Sequence, residues 1–241
     1  MMQAIPNVNR LSFVQSLELD EFPFHVGKGQ RYVSDGSLVS FVSSLTGEQK
    51  QDVLDSSLLA QLAANKKYDR ENDTDKWYKE YTNVMQMLGW VMQGFKFGRY
   101  KSSAASFSLS QVTLEILSAL VGGEAEIVNV MKATISALAK SPEGLNLFES
   151  GGIQGKNGNF QIVPCTTDRS GQVNVAFMCF YFKANRHEDN FFFFSWKRQD
   201  ITLLFSTQTC TLNEQAYAQV REAVIEKLGK RRITFVHDLD I

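Results

Sequence analysis

Histidine, proline and cysteine are all scarce in this chain, with three His, four Pro and three Cys in 241 residues. So few histidines leave little for the side chain that most often binds metals or acts as a general base. His25, His187 and His237 stand in no local pattern of a zinc site or a catalytic triad. An odd number of cysteines leaves at least one unpaired in any disulfide scheme, which fits a reducing compartment. Pairing neighbouring strands through their turns puts Cys165 near Asn174, Cys179 near Phe194 and Cys210 near the His187 loop, so the thiols are not expected to converge. They read as small buried hydrophobes.

Positive charge is also not in excess. The formal net charge is −1, and without a basic face to neutralise phosphates a nucleic-acid partner is not expected. The dense run Lys230-Arg231-Arg232 reads as the solvated end of a helix. No stretch of about 18 uncharged apolar residues is present, so no ordinary transmembrane helix is expected. The start, Met1 to Asn7, lacks a basic segment followed by an apolar one. The cytoplasm is therefore the default expectation, with leaderless export left open.

Signatures of chemistry are missing as well. There is no Gly-x-Ser-x-Gly elbow. Gly151 to Asn157 is too short for a P-loop and has Asn157 where Ser or Thr should ligate magnesium, while Gly27-Lys28-Gly29 lacks the third glycine of a dinucleotide fingerprint. No cofactor is expected.

What is present is apolar and well patterned. Hydrophobic residues make up 44% of the chain and Phe alone contributes 18 residues, enough for a thick core. From Asn159 onward come four strand-like runs: Phe160–Cys165, Val173–Phe182, Phe191–Trp196 and Ile201–Cys210. β-Branched and aromatic residues between short polar turns read as an antiparallel meander. The two central runs are apolar at odd and even positions alike, so both their faces must be covered. One cover is a helix opening at Thr211-Leu212-Asn213-Glu214 and carrying Tyr217, Val220, Val224, Ile225 and Leu228 to Gly229. The other must come from the helices before residue 150. The expected fold is α+β: a mainly antiparallel sheet, a distal four-strand meander, covered by helices on both faces. It is read as a single domain, 1–241, whose helix-rich half (1–150) packs on its sheet-rich half (151–241).

Upstream, residues 1–43 have weak periodicity; Leu11–Val14 and Leu17–Phe24 read as short strands or extended arms. Thr46-Gly47-Glu48-Gln49 is a capping box opening a helix with Val53, Leu54, Leu58, Leu59 and Leu62 on one side. Trp77, Tyr81, Val84, Met85, Leu88, Val91 and Met92 recur at helical steps. Gly94–Tyr100 and Ala105–Leu109 alternate about Lys101-Ser102-Ser103 and read as a hairpin, either an edge of the distal sheet or a separate ribbon. Gly151–Gly158 reads as the most flexible segment.

Three sets of residues carry the functional expectations. Asp69, Glu71, Asp73, Asp75 and Glu80 approach the spacing of a calcium loop, but Thr74 stands where glycine permits the turn and Lys76 where an apolar residue is usual. No metal site is expected; Asp73 and Asp75 read as helix-capping groups. The helical hairpin of residues 111–139, broken at Gly122-Gly123, is apolar around much of its circumference. It fits a core layer, and it fits a membrane-active element with Ile127, Met131 and Ile135 as the lipid-facing side chains. A pocket between sheet and helices would draw on His187, Asp189 or Cys179.

The expected function is non-enzymatic association with a protein partner, with itself or with a membrane surface. The alternatives are a membrane-active, toxin-like protein using the 111–139 hairpin, and a small-ligand binder or enzyme with a pocket between sheet and helices.

Overall fold

The computed structural model describes residues 7–20, 31–34, 36–122, 124–234 and 236–238. His25 and the Gly27-Lys28-Gly29 loop lie outside them. In chain order the elements are α1 (Asn7–Ser16), β1 (Arg31–Ser34), β2 (Ser37–Phe41), α2 (Gly47–Lys67), α3 (Thr74–Met87), β3 (Trp90–Val91), β4 (Gly98–Arg99), β5 (Ser106–Phe107), α4 (Leu109–Leu120) and α5 (Ala125–Leu138). There follow α6 (Pro142–Gly152), β6 (Ile153–Gln154), β7 (Asn157–Thr167), β8 (Val173–Ala184), β9 (Trp196–Lys197), β10 (Ile201–Leu212), α7 (Glu214–Ala218), α8 (Arg221–Leu228), α9 (Arg231–Thr234) and β11 (Val236–Asp238).

The fold is α+β. The main sheet runs β11-β1-β2-β7-β8-β10-β3, with β4 also on β10 and β6 on β7. It is mixed, which corrects the expectation of a mainly antiparallel four-strand meander. β7, β8 and β10 are antiparallel, but β2 from the weakly patterned first segment lies parallel to β7, with Leu38 opposite Ile162. The β1–β2 hairpin turns at Gly36, whose φ of 74° and close approach to the Gly151 carbonyl leave no room for a side chain.

The run Phe191–Trp196, expected as the third meander strand, is a turn. Phe194 N–H bonds the Asn190 carbonyl at 2.8 Å, and only Trp196-Lys197 is extended, pairing with Ser106-Phe107 in a separate two-stranded ribbon. The run is nonetheless buried, because its rings pack sideways. Phe191 stacks on Phe148 at 5.8 Å and tilts against Phe182 at 5.2 Å, and Phe192 meets Phe148 edge-on at 5.1 Å. The expected 94–109 hairpin divides in the same way: β4 joins the main sheet at β10, while β5 goes to the ribbon.

Alternation along β7 and β8 assigns the two faces. Phe160, Met178, Phe180 and Phe182 point toward α4, α5 and α6, and Phe160 stacks on Phe180 at 4.8 Å. Asn159, Gln161, Phe177 and Cys179 point toward α2 and α3, where Tyr81 meets Phe177 at 5.7 Å. α2 keeps its Thr46–Gln49 capping box, but it is covered on every side from Asp52 to Ala64 rather than along one stripe. A polar seam locks it onto the sheet. Gln61 Nε2 donates to Ser37 Oγ at 2.6 Å, Ser37 Oγ donates to Gln161 Oε1 at 2.7 Å, and the Tyr78 hydroxyl donates to Asn159 Oδ1 at 2.6 Å. Of the Gln161 side chain the oxygen is paired and Nε2 is buried without a hydrogen-bond partner, and the bonds that are made fix one register, because a shift would break them.

The distal helix is two helices. Asn213, not Thr211, caps α7, and the chain breaks before α8. The break turns Arg221 toward α2, where its guanidinium grips Asp52 bidentately at 2.8 and 2.7 Å; Arg232 grips Asp55 in the same fashion at 2.9 and 2.8 Å. Arg232 therefore corrects the reading of Lys230-Arg231-Arg232 as a solvated run. The first segment is corrected too: Leu11–Val14 is helical, in α1, which packs on α8.

Candidate functional site

The α4–α5 hairpin is the outer layer on one sheet face. Ser108 and Gln111 form a capping box at its start, and both helices end around Gly122 at φ 59°. Ile127, Met131 and Ile135, the side chains expected to meet lipid, are 5, 0 and 6% exposed. They face inward, and α5 lies on β2 and β7. The outward faces carry a different apolar set: Leu114, Leu120, Val121, Val128 and Val130 are half-buried, beside exposed Ala119 and Ala125.

The acidic array does not gather round a point. Asp69 accepts the backbone N–H of Glu71 and Asn72 at 3.0 and 2.8 Å. Asp73 pairs with Lys76 at 2.6 Å, and Glu80 with Lys67 at 2.6 Å. Asp73 is the N-cap residue of α3 by position only, since its carboxylate makes no capping bond. Among the described residues no three His, Cys, Asp or Glu side chains are placed to hold a metal ion.

Of the expected pocket residues, two meet and one does not. His187 Nε2 lies 2.8 Å from Asp189 Oδ1, and its Nδ1 meets the Gly155 carbonyl. Those contacts raise the imidazole's pKa, the backbone contact most. Sequence reading missed the third member, Glu149 at the end of α6. Partial burial, then the nearby Asp189 charge, push its carboxyl up to about 7. Glu149 is half-buried, with Oε1 enclosed and without a hydrogen-bond partner, whereas His187 and Asp189 are exposed.

Cys179 is elsewhere, sealed beneath α2 and α3 and opposite Gln161 and Ser206 in the sheet. Cys210 lies across from Val175 rather than near the His187 loop, because β10 pairs with β8 directly. Burial pushes all three thiols up, Cys210 to about 12, and so removes the thiolate that nucleophilic chemistry requires.

One open groove combines apolar and cationic groups. It measures about 530 Å³ and runs between α4 and the outer side of β10. Glu115, Ile116, Ala119 and Leu120 line one wall at helical spacing, and Phe205 and Thr207 of β10 form the floor. The segment Arg99-Tyr100-Lys101 forms the third side. The same segment walls a second cavity of about 310 Å³, lined further by Ser102, Phe107, Arg198, Ile201 and Leu203. Tyr100 is anchored on both flanks. Its N–H bonds Leu203 at 2.9 Å, its hydroxyl donates to Glu115 Oε2 at 2.8 Å, and its ring meets Phe107 edge-on at 5.6 Å. Burial and the Glu115 carboxylate push the phenol up to about 12, so it stays a donor. Among the described residues neither the Arg99 guanidinium nor the Lys101 ammonium has a hydrogen-bond or ion-pair partner. The one sequence signal for this wall is the alternation of small or basic with aromatic residues in Gly94–Lys101. The opposite wall belongs to the helix whose inner face drew attention instead.

A larger groove of about 890 Å³ follows α3 and the 94–97 loop, but acids and bases are mixed along it (Asp75, Lys76, Lys79, Glu80), and Lys76 and Glu80 are already engaged in ion pairs. Among the described residues no helix is long and apolar enough to cross a membrane.

No protein-family model matches the chain, and no curated protein sequence matches it. Among solved structures, the chain is distantly similar to the Evf virulence factor, at 13% identity over 92% of this chain and 89% of that one, with a TM-score of 0.42. It is also similar to a delta-endotoxin, at 12% identity over 82% of this chain and 90% of that one, with a TM-score of 0.47. These are likenesses of overall shape alone.

Proposed function

We propose that the protein acts by non-catalytic association, and that the surface it associates with is a membrane, met from outside by the α4 side of the fold. The observation that carries this reading is the open groove beside α4. Ile116, Ala119 and Leu120 of the helix and Phe205 of β10 line it with apolar groups, and Arg99 and Lys101, whose side chains have no hydrogen bond or ion pair among the described residues, line it too. Apolar side chains next to cations are the composition of a surface that lies at a headgroup boundary. Peripheral contact of this kind needs no spanning helix and no release of Ile127, Met131 or Ile135 from the core.

Support for an enzymatic reading is thinner. The thiols are sealed and their pKa values raised, and two of the three members of the Glu149, His187 and Asp189 cluster, His187 and Asp189, are exposed to solvent.

The test is flotation of the full chain on liposomes containing both zwitterionic and anionic phospholipid, with dye release in parallel, at neutral and mildly acidic pH. Flotation without leakage is the expected result. Leakage would mean that the hairpin leaves the fold, and absence of flotation at both pH values would refute membrane association.

A further inference from the structure

Resting on that membrane reading, we infer that the paired cavities astride Tyr100 form a seat for one anionic phospholipid, with its phosphate held by Arg99, Lys101 and Arg198 and an acyl segment lying over Ile116, Ala119, Leu120 and Phe205. The geometry separates the two chemistries. Arg99, Tyr100 and Lys101 line both cavities and form the wall that the two share. Arg198 lies across the smaller cavity, loosely tethered by a 3.4 Å contact from its guanidinium to the Ser102 carbonyl. The larger cavity extends away from them toward aliphatic α4 and Phe205.

Charge complementarity fixes the sign of the occupant. The two linings hold three cations and one carboxylate, Glu115, which already accepts the Tyr100 hydroxyl. The surplus is positive, and the guanidinium groups can bind phosphate oxygens in a bidentate way. A soluble anion would leave the apolar wall of α4 without use. A neutral lipid would leave Arg99 and Lys101 as unmatched as they are now.

Flotation is compared on vesicles of phosphatidylcholine alone and of phosphatidylcholine with 30% phosphatidylglycerol, for wild type, for Arg99→Gln/Lys101→Gln/Arg198→Gln, and for Ala119→Trp. Near-UV circular dichroism checks the fold of each variant; the three cations and Ala119 are exposed, so folding should be unchanged. Wild type should float on the anionic vesicles and much less on the neutral ones, with the difference shrinking in high salt. The triple variant should partition on the order of 100-fold more weakly, from roughly tenfold for each 1.4 kcal/mol and about 1 kcal/mol per basic residue at an anionic surface. Ala119→Trp fills the apolar half and should also weaken flotation, at least severalfold.

Equal flotation of wild type on both vesicles would overturn the anionic seat and leave membrane association standing. Unchanged flotation of the triple variant would do the same. Loss in the triple variant with none in Ala119→Trp would overturn the acyl half of the seat. Flotation on neither vesicle would remove both this inference and the reading on which it rests.

Discussion

Removing the charge of Arg221 tests how the carboxyl-terminal helices are held. Asp52 is 2% exposed and its two oxygens are held by Arg221 at 2.8 and 2.7 Å, while the Arg221 side chain, 20% exposed, also reaches Glu48 at 3.1 Å. Arg221→Met keeps the aliphatic stem beside Tyr217 and deletes the guanidinium. The carboxylate is then buried without its counter-ion, a change that costs about 3–5 kcal/mol in enclosed pairs. Water reaches this guanidinium, so the lower end, about 3 kcal/mol, applies. For a chain of this length that lowers Tm by roughly 6–12 °C.

The loss must depend on pH in one direction. Burial already holds the Asp52 carboxyl above its ordinary value, outweighing Arg221, which acts to lower it. A carboxyl whose pKa is raised by folding binds its proton more readily in the folded state, so acidification favours the fold. Without Arg221 the pKa rises further, and protonation removes the buried charge. The deficit of Arg221→Met should therefore be full at pH 8 and should shrink as pH falls toward 4.5. Asp52→Leu/Arg221→Met should recover to within about 1 kcal/mol of wild type, since an apolar pair of similar volume replaces the ions. Urea unfolding at both pH values measures all three proteins. A deficit below about 1 kcal/mol at pH 8, or one equal at both pH values, would refute the buried-carboxylate account.

Other perturbations have equally definite outcomes. Glu149, at about 7 in the fold against 4.5 ordinarily, should make stability fall as pH rises through that window, and Glu149→Gln should abolish the slope. Because the group is half exposed, the gain at pH 8 should be no more than about 1 kcal/mol, read from urea midpoints at pH 5 and 8. Gly158→Ala places a Cβ 2.1 Å from the Phe182 ring and 2.8 Å from the Gly152 carbonyl oxygen, and should cost about 1–3 kcal/mol in thermal unfolding. Met131→Asp buries an unpaired charge at a fully enclosed site and should abolish the near-UV dichroism, whereas Val128→Asp, half-buried on the same helix, should leave it. Lipid-binding tests on this hairpin therefore belong at Leu114, Leu120 or Val128 rather than at Ile127 or Met131.

The contrast between Met131 and Val128 shows where sequence reasoning reaches its limit. Periodicity located the helices and their capping boxes at Thr46 and Ser108, because those signals lie within four residues of one another. It marked the hairpin as apolar nearly all round without telling which side meets the sheet, because a helix covered on one face and edged by a groove on the other shows little alternation. The Phe191–Phe194 run read as a strand for a related reason. Four aromatic residues in a row state that burial is needed, but not whether a ladder or ring-to-ring packing supplies it.

The ion pairs were invisible for a different reason. Arg221 and Asp52 are 169 residues apart, and nothing local to either announces the other. Both grips follow from the break between α7 and α8, which turns Arg221 toward α2 and brings Arg232 to Asp55. The groove beside α4 has the same origin. Arg99-Tyr100-Lys101 and Arg198 stand nearly a hundred residues apart; β4 pairs with β10, and β5 pairs with β9, which sets the Arg198 N–H on the Ala105 carbonyl beside that segment. The 94–109 stretch, expected as one hairpin at a sheet edge or in a ribbon, divides between the two, β4 at the edge and β5 in the ribbon, and that division is what gives the groove this wall.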